Sequence, residues 1–344
     1  MPRAVMNLRD GRPAWALPDW ATEAIKGAFP SDWEVLDVAT PASGGGDGGD
    51  VSFEALEAIA SAEVYFGYGF PHPLLQAAKQ GTNQLQWVHS GTAGVASALY
   101  PEFVESQIIF TNSAGIHAPP MAESVLGMIL HFARGLDFAT RAQARSEWGK
   151  EPFEQRTGVV REIAGATLGI YGFGGVGREL AWRAAALGMK VIATKRNDRM
   201  VPPDVELLRG DDALPTLLER ADYVVIAAPS TMETRGSIDA AALALMKNDA
   251  VLINIARGDV VDEDALVGAL RNGRLRGAGL DVFDTEPLPS SSPLWSLDNV
   301  LITPHVSATT TRFWRRETDL IVENIERYLA GRPLRNAVDK EAGY

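Results

Sequence analysis

Short apolar runs alternate with helix-period patterns along almost the whole chain, and this alternation constrains the fold most. Runs at 4–8, 34–38, 64–68, 86–89 and 108–111 form one series, and runs at 167–171, 190–194, 223–228, 251–255, 278–282 and 300–303 a second. Strands separated by helices read as βαβ units, whose crossovers require a parallel sheet with helices on both faces. The chain has 344 residues, more than one hydrophobic core usually supports. Two doubly wound α/β domains are therefore expected. The run Ser43-Gly44-Gly45-Gly46-Asp47-Gly48-Gly49-Asp50 reads as a flexible surface loop within the first, not as a linker. There is no internal repeat.

The second series opens with a glycine turn, Ile170-Tyr171-Gly172-Phe173-Gly174-Gly175-Val176-Gly177. With 33 glycines in the chain, G-x-G-x-x-G alone would be weak. Here an apolar strand precedes it, and a helical pattern (Val176, Leu180, Ala184, Leu187) follows, closed by Gly188 in the C-cap role. Gly172 suits a tight turn, Gly174 a close approach of backbone to pyrophosphate, and Gly177 close packing of helix on strand. The N–H groups and positive dipole end at Gly175 and Val176 then favour phosphate. Dinucleotide binding is the expectation.

Three polar residues sit at or just past the C-terminal ends of later apolar runs. Arg257 closes Asn254-Ile255-Ala256-Arg257-Gly258, Glu286 follows Leu280-Asp281-Val282-Phe283, and His305 ends Ile302-Thr303-Pro304-His305. In an open parallel sheet the ligand crevice lies outside those strand ends. A guanidinium fork binds a carboxylate, and an imidazole is the side chain best suited to moving a proton near neutral pH. A carboxylate hydrogen-bonded to that imidazole favours its protonated form. Each residue also has a plainer reading: Arg257 paired with Asp259 or Asp262, Glu286 solvated in a loop, His305 in a turn. His72, His89, His117 and His131 read as structural or surface histidines, although His89 adjoins Ser90-Gly91-Thr92. Trp148 and Trp314 read as buried packing residues.

Between the two series, Met121, Val125, Met128, Ile129 and Phe132 make one helical stripe, which Leu126 and Leu130 widen. Such a helix serves as an interdomain hinge, a homodimer interface or a core helix. The absence of cysteine excludes disulfides, thiolate metal sites and a cysteine nucleophile. A net charge of −12 argues against nonspecific nucleic-acid or anionic-membrane binding. No apolar stretch approaches a membrane span, and no signal-peptide core precedes the first strand, so a cytoplasmic protein is expected. No clustered ligand motif calls for a metal.

Taken in order, Trp87-Val88-His89-Ser90-Gly91-Thr92-Ala93-Gly94-Val95, the Gly172–Gly177 turn, Asn254-Ile255-Ala256-Arg257-Gly258, Asp281-Val282-Phe283-Asp284-Thr285-Glu286-Pro287 and Thr303-Pro304-His305 resemble the D-isomer-specific 2-hydroxyacid dehydrogenases. That resemblance covers nearly the whole chain. It implies a Rossmann cofactor domain (118–307) inserted into a flavodoxin-like substrate domain (1–117 and 308–344). It implies catalytic roles for Arg257, Glu286 and His305, and substrate contacts from Ser90, Gly91, Thr92, Arg257 and His305. It also implies dinucleotide contacts from Gly172, Gly174, Gly175, Val176, Gly177, Pro229, Thr234, Ala256, Arg257 and Asp281. A helix over 318–329 leaves only a short tail, so no appended regulatory domain is expected.

Two positions depart from that pattern. Ala96 stands where an acidic or polar residue is expected. NAD enzymes place a carboxylate about 20 residues past the glycines to hold the ribose 2′-hydroxyl, but here the strand ends Ala193-Thr194-Lys195-Arg196. Lys195 and Arg196 would attract a 2′-phosphate, so NADP is favoured over NAD. The expected activity is NAD(P)H-dependent reduction of a small 2-oxo acid, glyoxylate or hydroxypyruvate, to the D-2-hydroxy acid. NAD-linked oxidation of a phosphoglycerate-like or lactate-like D-2-hydroxy acid is the runner-up. A dinucleotide-sensing interaction protein, which would bind nucleotide without turnover, is the alternative from another class.

Overall fold

The structure, a computed structural model, describes residues 1–41, 51–155, 160–195 and 202–343. The glycine-rich run 43–50 and Arg196 lie outside the described residues. The chain divides into two compact units, Met1–His117 with Thr309–Tyr344, and Ala118–Ala308.

The first unit holds five strands, β1 (Arg3–Asn7), β2 (Glu34–Asp37), β3 (Val64–Gly67), β4 (Trp87–Ser90) and β5 (Ile109–Asn112), in the order β2-β1-β3-β4-β5. Every neighbouring pair is parallel. Side chains alternate across the sheet, so Val5, Tyr65, Val88 and Phe110 enter one core while Ala4, Met6, Val64, Phe66 and Trp87 enter the other. Burial on both faces is why these strands read as continuous apolar runs. Ile321 and Ile325, one turn apart on the helix Phe313–Leu329, close the second core.

In the second unit seven parallel strands stand in the order β12-β11-β10-β9-β6-β7-β8. They are β6 (Thr167–Tyr171), β7 (Lys190–Thr194), β8 (Val205–Leu208), β9 (Tyr223–Ile226), β10 (Val251–Asn254), β11 (Gly277–Leu280) and β12 (Val300–Ile302). The chain winds outward from β6 in one direction through β8, then crosses back to β9 and on to β12. The order therefore reverses between β6 and β9, which is where doubly wound sheets bind ligands. Both sheets are thus parallel and doubly wound, one in flavodoxin-like and one in Rossmann order.

The sequence reading missed β8. Val205-Glu206-Leu207-Leu208 is a short edge strand with an exposed Glu206, too brief and too polar to register as an apolar run. Trp148 corrects another expectation: it is 93% exposed rather than buried, whereas Trp314 is buried as expected. The helix Ala118–Ala133 packs against β10 and β11 of its own unit. Gly277 and Gly279 on β11 make room for it, since a Cβ there would lie 2.5 Å from Phe132 and 2.9 Å from Met128. Its apolar stripe is core within the unit, and Leu130 remains partly exposed. Among the described residues no helix is long and apolar enough to cross a membrane.

Candidate active site

The glycine turn divides its labour by geometry. Gly172 has φ +101°, and a Cβ there would lie 2.5 Å from the Ala228 backbone, so only glycine fits. A Cβ at Gly177 would meet Gly172 O at 3.0 Å and Ile170 at 3.3 Å, the close approach of helix to strand. At Gly174, the N-cap of the helix Gly175–Ala186, a Cβ would meet nothing within 4 Å. One glycine in the turn is therefore left open, at the positive end of a three-turn helix beside the switch point. Gly188 (φ +80°) follows the helix end, as the C-cap reading expects. The N–H groups of Gly172 and Phe173 bond Thr194 at the end of β7, tying the turn to the strand that leads into Lys195. Lys195 Nζ stands 6.0 Å from the Phe173 ring centroid. Nearby, Thr234 Oγ1 donates to Pro229 O at 2.6 Å, fixing the loop after β9.

Arg257, Glu286 and His305 line one open cleft of about 570 Å³, together with Arg235, Gly258, Asp259, Phe283 and Asp284. His305 Nδ1 bonds Glu286 Oε2 at 2.7 Å, and the other carboxylate oxygen accepts from Phe283 N at 3.0 Å. The carboxylate is thus held at both oxygens, and it fixes the orientation of a half-exposed imidazole. Gly258 lets Arg257 reach this place: a Cβ at Gly258 would overlap the Phe283 carbonyl carbon at 1.9 Å. Neither of the anticipated pairs for Arg257 forms. Asp259 accepts from Arg235 and Ser230, and Asp262 caps the helix Glu263–Arg271. The Arg257 guanidinium donates to the neighbouring Ala256 O at 2.8 Å, and the side chain is exposed in the cleft.

The His305 backbone adopts φ +53°, a left-handed conformation that a non-glycine residue keeps only when its surroundings enforce it. Asp281 supplies the enforcement. Its fully buried carboxylate accepts from Thr303 Oγ1 at 2.6 Å, Val306 N at 2.9 Å and Ser307 N at 3.0 Å, and its carbonyl accepts from His305 N at 2.8 Å. Sequence reasoning placed Asp281 among the dinucleotide contacts and missed this loop-holding role. The signal was an aspartate at the end of an apolar run one strand away from the histidine.

In the first unit, Ser90 Oγ accepts from Gly69 N and bonds Thr92 Oγ1, and Gly91 N donates to Gly67 O at 2.7 Å. The three residues form a tight loop at the end of β4. His89 is fully buried, with Nδ1 2.9 Å from Thr111 Oγ1 and Nε2 2.9 Å from Glu317 Oε1. Ser113 Oγ donates to the same Glu317 oxygen at 2.8 Å. The remaining histidines have local roles. His72 pairs with Glu102 at 3.0 Å, and His117 stacks on Phe313. Burial holds the His131 imidazole below its ordinary range. Among the described residues no group of three or more His, Cys, Asp or Glu could hold a metal ion.

Residues 126–307 match the family described as D-isomer specific 2-hydroxyacid dehydrogenase, NAD binding domain. The chain is 34% identical over 292 residues to a D-3-phosphoglycerate dehydrogenase of Methanocaldococcus jannaschii, covering 83% of this chain and 53% of that protein. It therefore spans about half the length of that relative. A D-isomer specific 2-hydroxyacid dehydrogenase of Xanthobacter autotrophicus Py2, solved with NADPH and MES, is 31% identical with a TM-score of 0.79, over 100% of this chain and 99% of that one. An NADPH-dependent glyoxylate/hydroxypyruvate reductase of Sinorhizobium meliloti, solved with NADP and sulfate, is 29% identical with a TM-score of 0.76, over 100% of both chains.

Proposed function

Because the chain belongs to the D-isomer-specific 2-hydroxyacid dehydrogenase family, we propose that it reduces a small 2-oxo acid, of the glyoxylate or hydroxypyruvate type, to the D-2-hydroxy acid. The observation that carries this reading is the 2.7 Å His305–Glu286 pair, which shares a cleft with an exposed arginine. The guanidinium of Arg257 binds the substrate carboxylate and polarises the adjacent carbonyl. His305, oriented by Glu286 through Nδ1, uses Nε2 to give a proton to the carbonyl oxygen. The Glu286 carboxylate, itself held by Phe283 N, keeps the ring in that orientation.

A nicotinamide dinucleotide fits the turn: Gly174 leaves space where any Cβ would intrude, and the helix Gly175–Ala186 directs its free N–H groups there. Gly172, Gly174, Gly175, Val176 and Gly177 would hold the pyrophosphate, with Pro229, Thr234, Ala256 and Asp281 further along. When bound, the dinucleotide supplies the hydride. Lys195 supports NADP over NAD, because a cation at the end of β7 attracts a 2′-phosphate. The unit Ala118–Ala308 is read as the dinucleotide domain, and Met1–His117 with Thr309–Tyr344 as the substrate domain through Ser90, Gly91 and Thr92. A homodimer is also proposed, since Leu130, Leu136 and Trp148 expose apolar surface; light scattering at micromolar concentration should find a dimer.

Identity to a phosphoglycerate dehydrogenase favours a second reading, NAD-linked oxidation of a D-2-hydroxy acid. A panel of 2-oxo acids with NADPH and NADH, and of D-2-hydroxy acids with NADP and NAD, separates the two. Reduction of glyoxylate or hydroxypyruvate with the highest kcat/KM supports the first reading. Dinucleotide binding without turnover of any member would defeat both.

A further inference from the structure

The residues after the last helix run back along β5 and are fastened to it. Asn324, fully buried in the helix Phe313–Leu329, accepts from Arg335 N at 2.7 Å and donates through Nδ2 to Arg335 O at 3.1 Å. Ala337 bridges Thr111 antiparallel, and Val338 N donates to Phe110 O at 2.7 Å. Lys340 Nζ fastens the far end, donating to the carbonyls of Phe103, Ser106 and Ile108 at 3.0, 2.6 and 3.1 Å. Asn336, inside this segment, has φ +54°, a left-handed conformation that asparagine tolerates better than most residues. From there its carbonyl accepts from Asn112 N at 3.2 Å, and its Nδ2 donates to Asn112 O at 3.1 Å and Ala114 O at 2.8 Å.

Asn112 and Ser113 in turn hold the loop Ser90-Gly91-Thr92-Ala93 by three of its carbonyls. Ser113 Oγ donates to Ser90 O at 2.9 Å, Ser113 N to Thr92 O at 3.1 Å, and Asn112 Nδ2 to Ala93 O at 2.9 Å. A peptide unit is planar and trans, so a carbonyl fixed on one side fixes the following N–H on the other. The end of β5 thereby sets how the loop presents its backbone. We propose that Asn336 is a positioning residue for this loop, acting through Asn112 and Ser113, so that the segment 335–340 supports substrate binding as well as the fold. The inference rests on the reading that a 2-oxo acid binds at Ser90, Gly91 and Thr92.

The test uses the full chain as wild type, Asn336→Gly, Asn112→Ala, their double variant and Lys340→Met. For each, kcat and KM are measured on the best 2-oxo acid, reduced-dinucleotide affinity by calorimetry, and Tm. Glycine keeps the positive φ at no steric cost and deletes only the two side-chain donors. Asn336→Gly should raise KM about tenfold, the worth of one such hydrogen bond, with kcat and dinucleotide affinity unchanged. Asn112→Ala should act in the same direction, and the double variant should raise KM by less than the product of the two, since both lie on one path. Lys340→Met should lower Tm and leave KM as it was. An unchanged KM in Asn336→Gly overturns the role. So does an equal rise in Lys340→Met, which would assign the effect to the tail's hold on the fold, or a double variant that multiplies the single effects. In those cases the 2-oxo acid reading stands. Should Asn112→Ala fail to fold, Asn336→Gly against Lys340→Met still decides. Failure of the wild type to reduce any 2-oxo acid defeats that reading first, and this role with it.

Discussion

Of the three histidine–glutamate pairs among the described residues, two differ most in their surroundings. His305 and Glu286 lie 2.7 Å apart with side chains 48% and 35% exposed, whereas His89 and Glu317 lie 2.9 Å apart with both at 0%. The open pair stands in a cleft beside Arg257, and one carboxylate oxygen is taken by a backbone N–H. The buried pair is surrounded by hydroxyls, Thr111 on the imidazole and Ser113 on the carboxylate. The difference teaches that an imidazole–carboxylate contact has no function by itself. Access decides whether it can move a proton to a substrate or only hold a fold in place.

Substituting each histidine breaks the comparison most sharply. His305→Ala should lower kcat about 10²–10⁴-fold, because positioned proton transfer is lost. Its unfolding free energy should change by only about 1 kcal/mol, from loss of the half-exposed hydrogen bond to Glu286. His89→Ala should instead cost about 3–5 kcal/mol in urea denaturation, since it leaves a buried carboxylate without its partner. Equal kinetic losses in the two variants, or equal stability losses, would erase the distinction.

The next effect concerns the cofactor. Two charge-assisted contacts, from Lys195 and from Arg196, which lies outside the described residues, would favour NADPH over NADH about 10²-fold. The double variant Lys195→Asp, Arg196→Ala should lose this preference at fixed ionic strength. A wild type that already prefers NADH would reduce both cations to solvated surface charge.

Arg257→Lys sharpens what the open pair gains from its neighbour. A point charge cannot reproduce the bidentate fork, so kcat/KM should fall about 10–10²-fold. An unchanged value would remove Arg257 from carboxylate binding.

Within the glycine turn, the same contrast of open and packed positions gives the smallest effect. Gly172→Ala should destabilise by at least about 1–3 kcal/mol from its backbone conformation alone, before the overlap with Ala228 is counted. Gly174→Ala should fold like the wild type and bind NADPH more weakly by calorimetry. Equal stability losses at both positions would mean that Gly174 has a packing role rather than an open one.

Both doubly wound sheets were legible because strands buried on two faces leave continuous apolar runs. β8 was not, because an edge strand of four residues with Glu206 in it carries no such run. Local motifs also placed Arg257, Glu286 and His305 at strand ends, since backbone geometry at those ends is set by nearby residues. The pairing of His89 with Glu317 could not be read, because 228 positions separate them and only the packing of the helix Phe313–Leu329 brings them together. Asp281 did carry a signal, its place at the end of the run beside the strand leading to His305, but the sequence did not show that its carboxylate turns to the backbone of 306 and 307. Trp148 misled because an aromatic residue in a polar segment does not reveal which way it faces.

The most direct test of the central claim follows the hydride itself. NADPH carrying deuterium at the transferred position of its nicotinamide ring is incubated with hydroxypyruvate and the enzyme, and the glycerate is examined by mass spectrometry and chiral chromatography. The account predicts D-glycerate with one deuterium on C2. Unlabelled glycerate, or the L isomer, would contradict it.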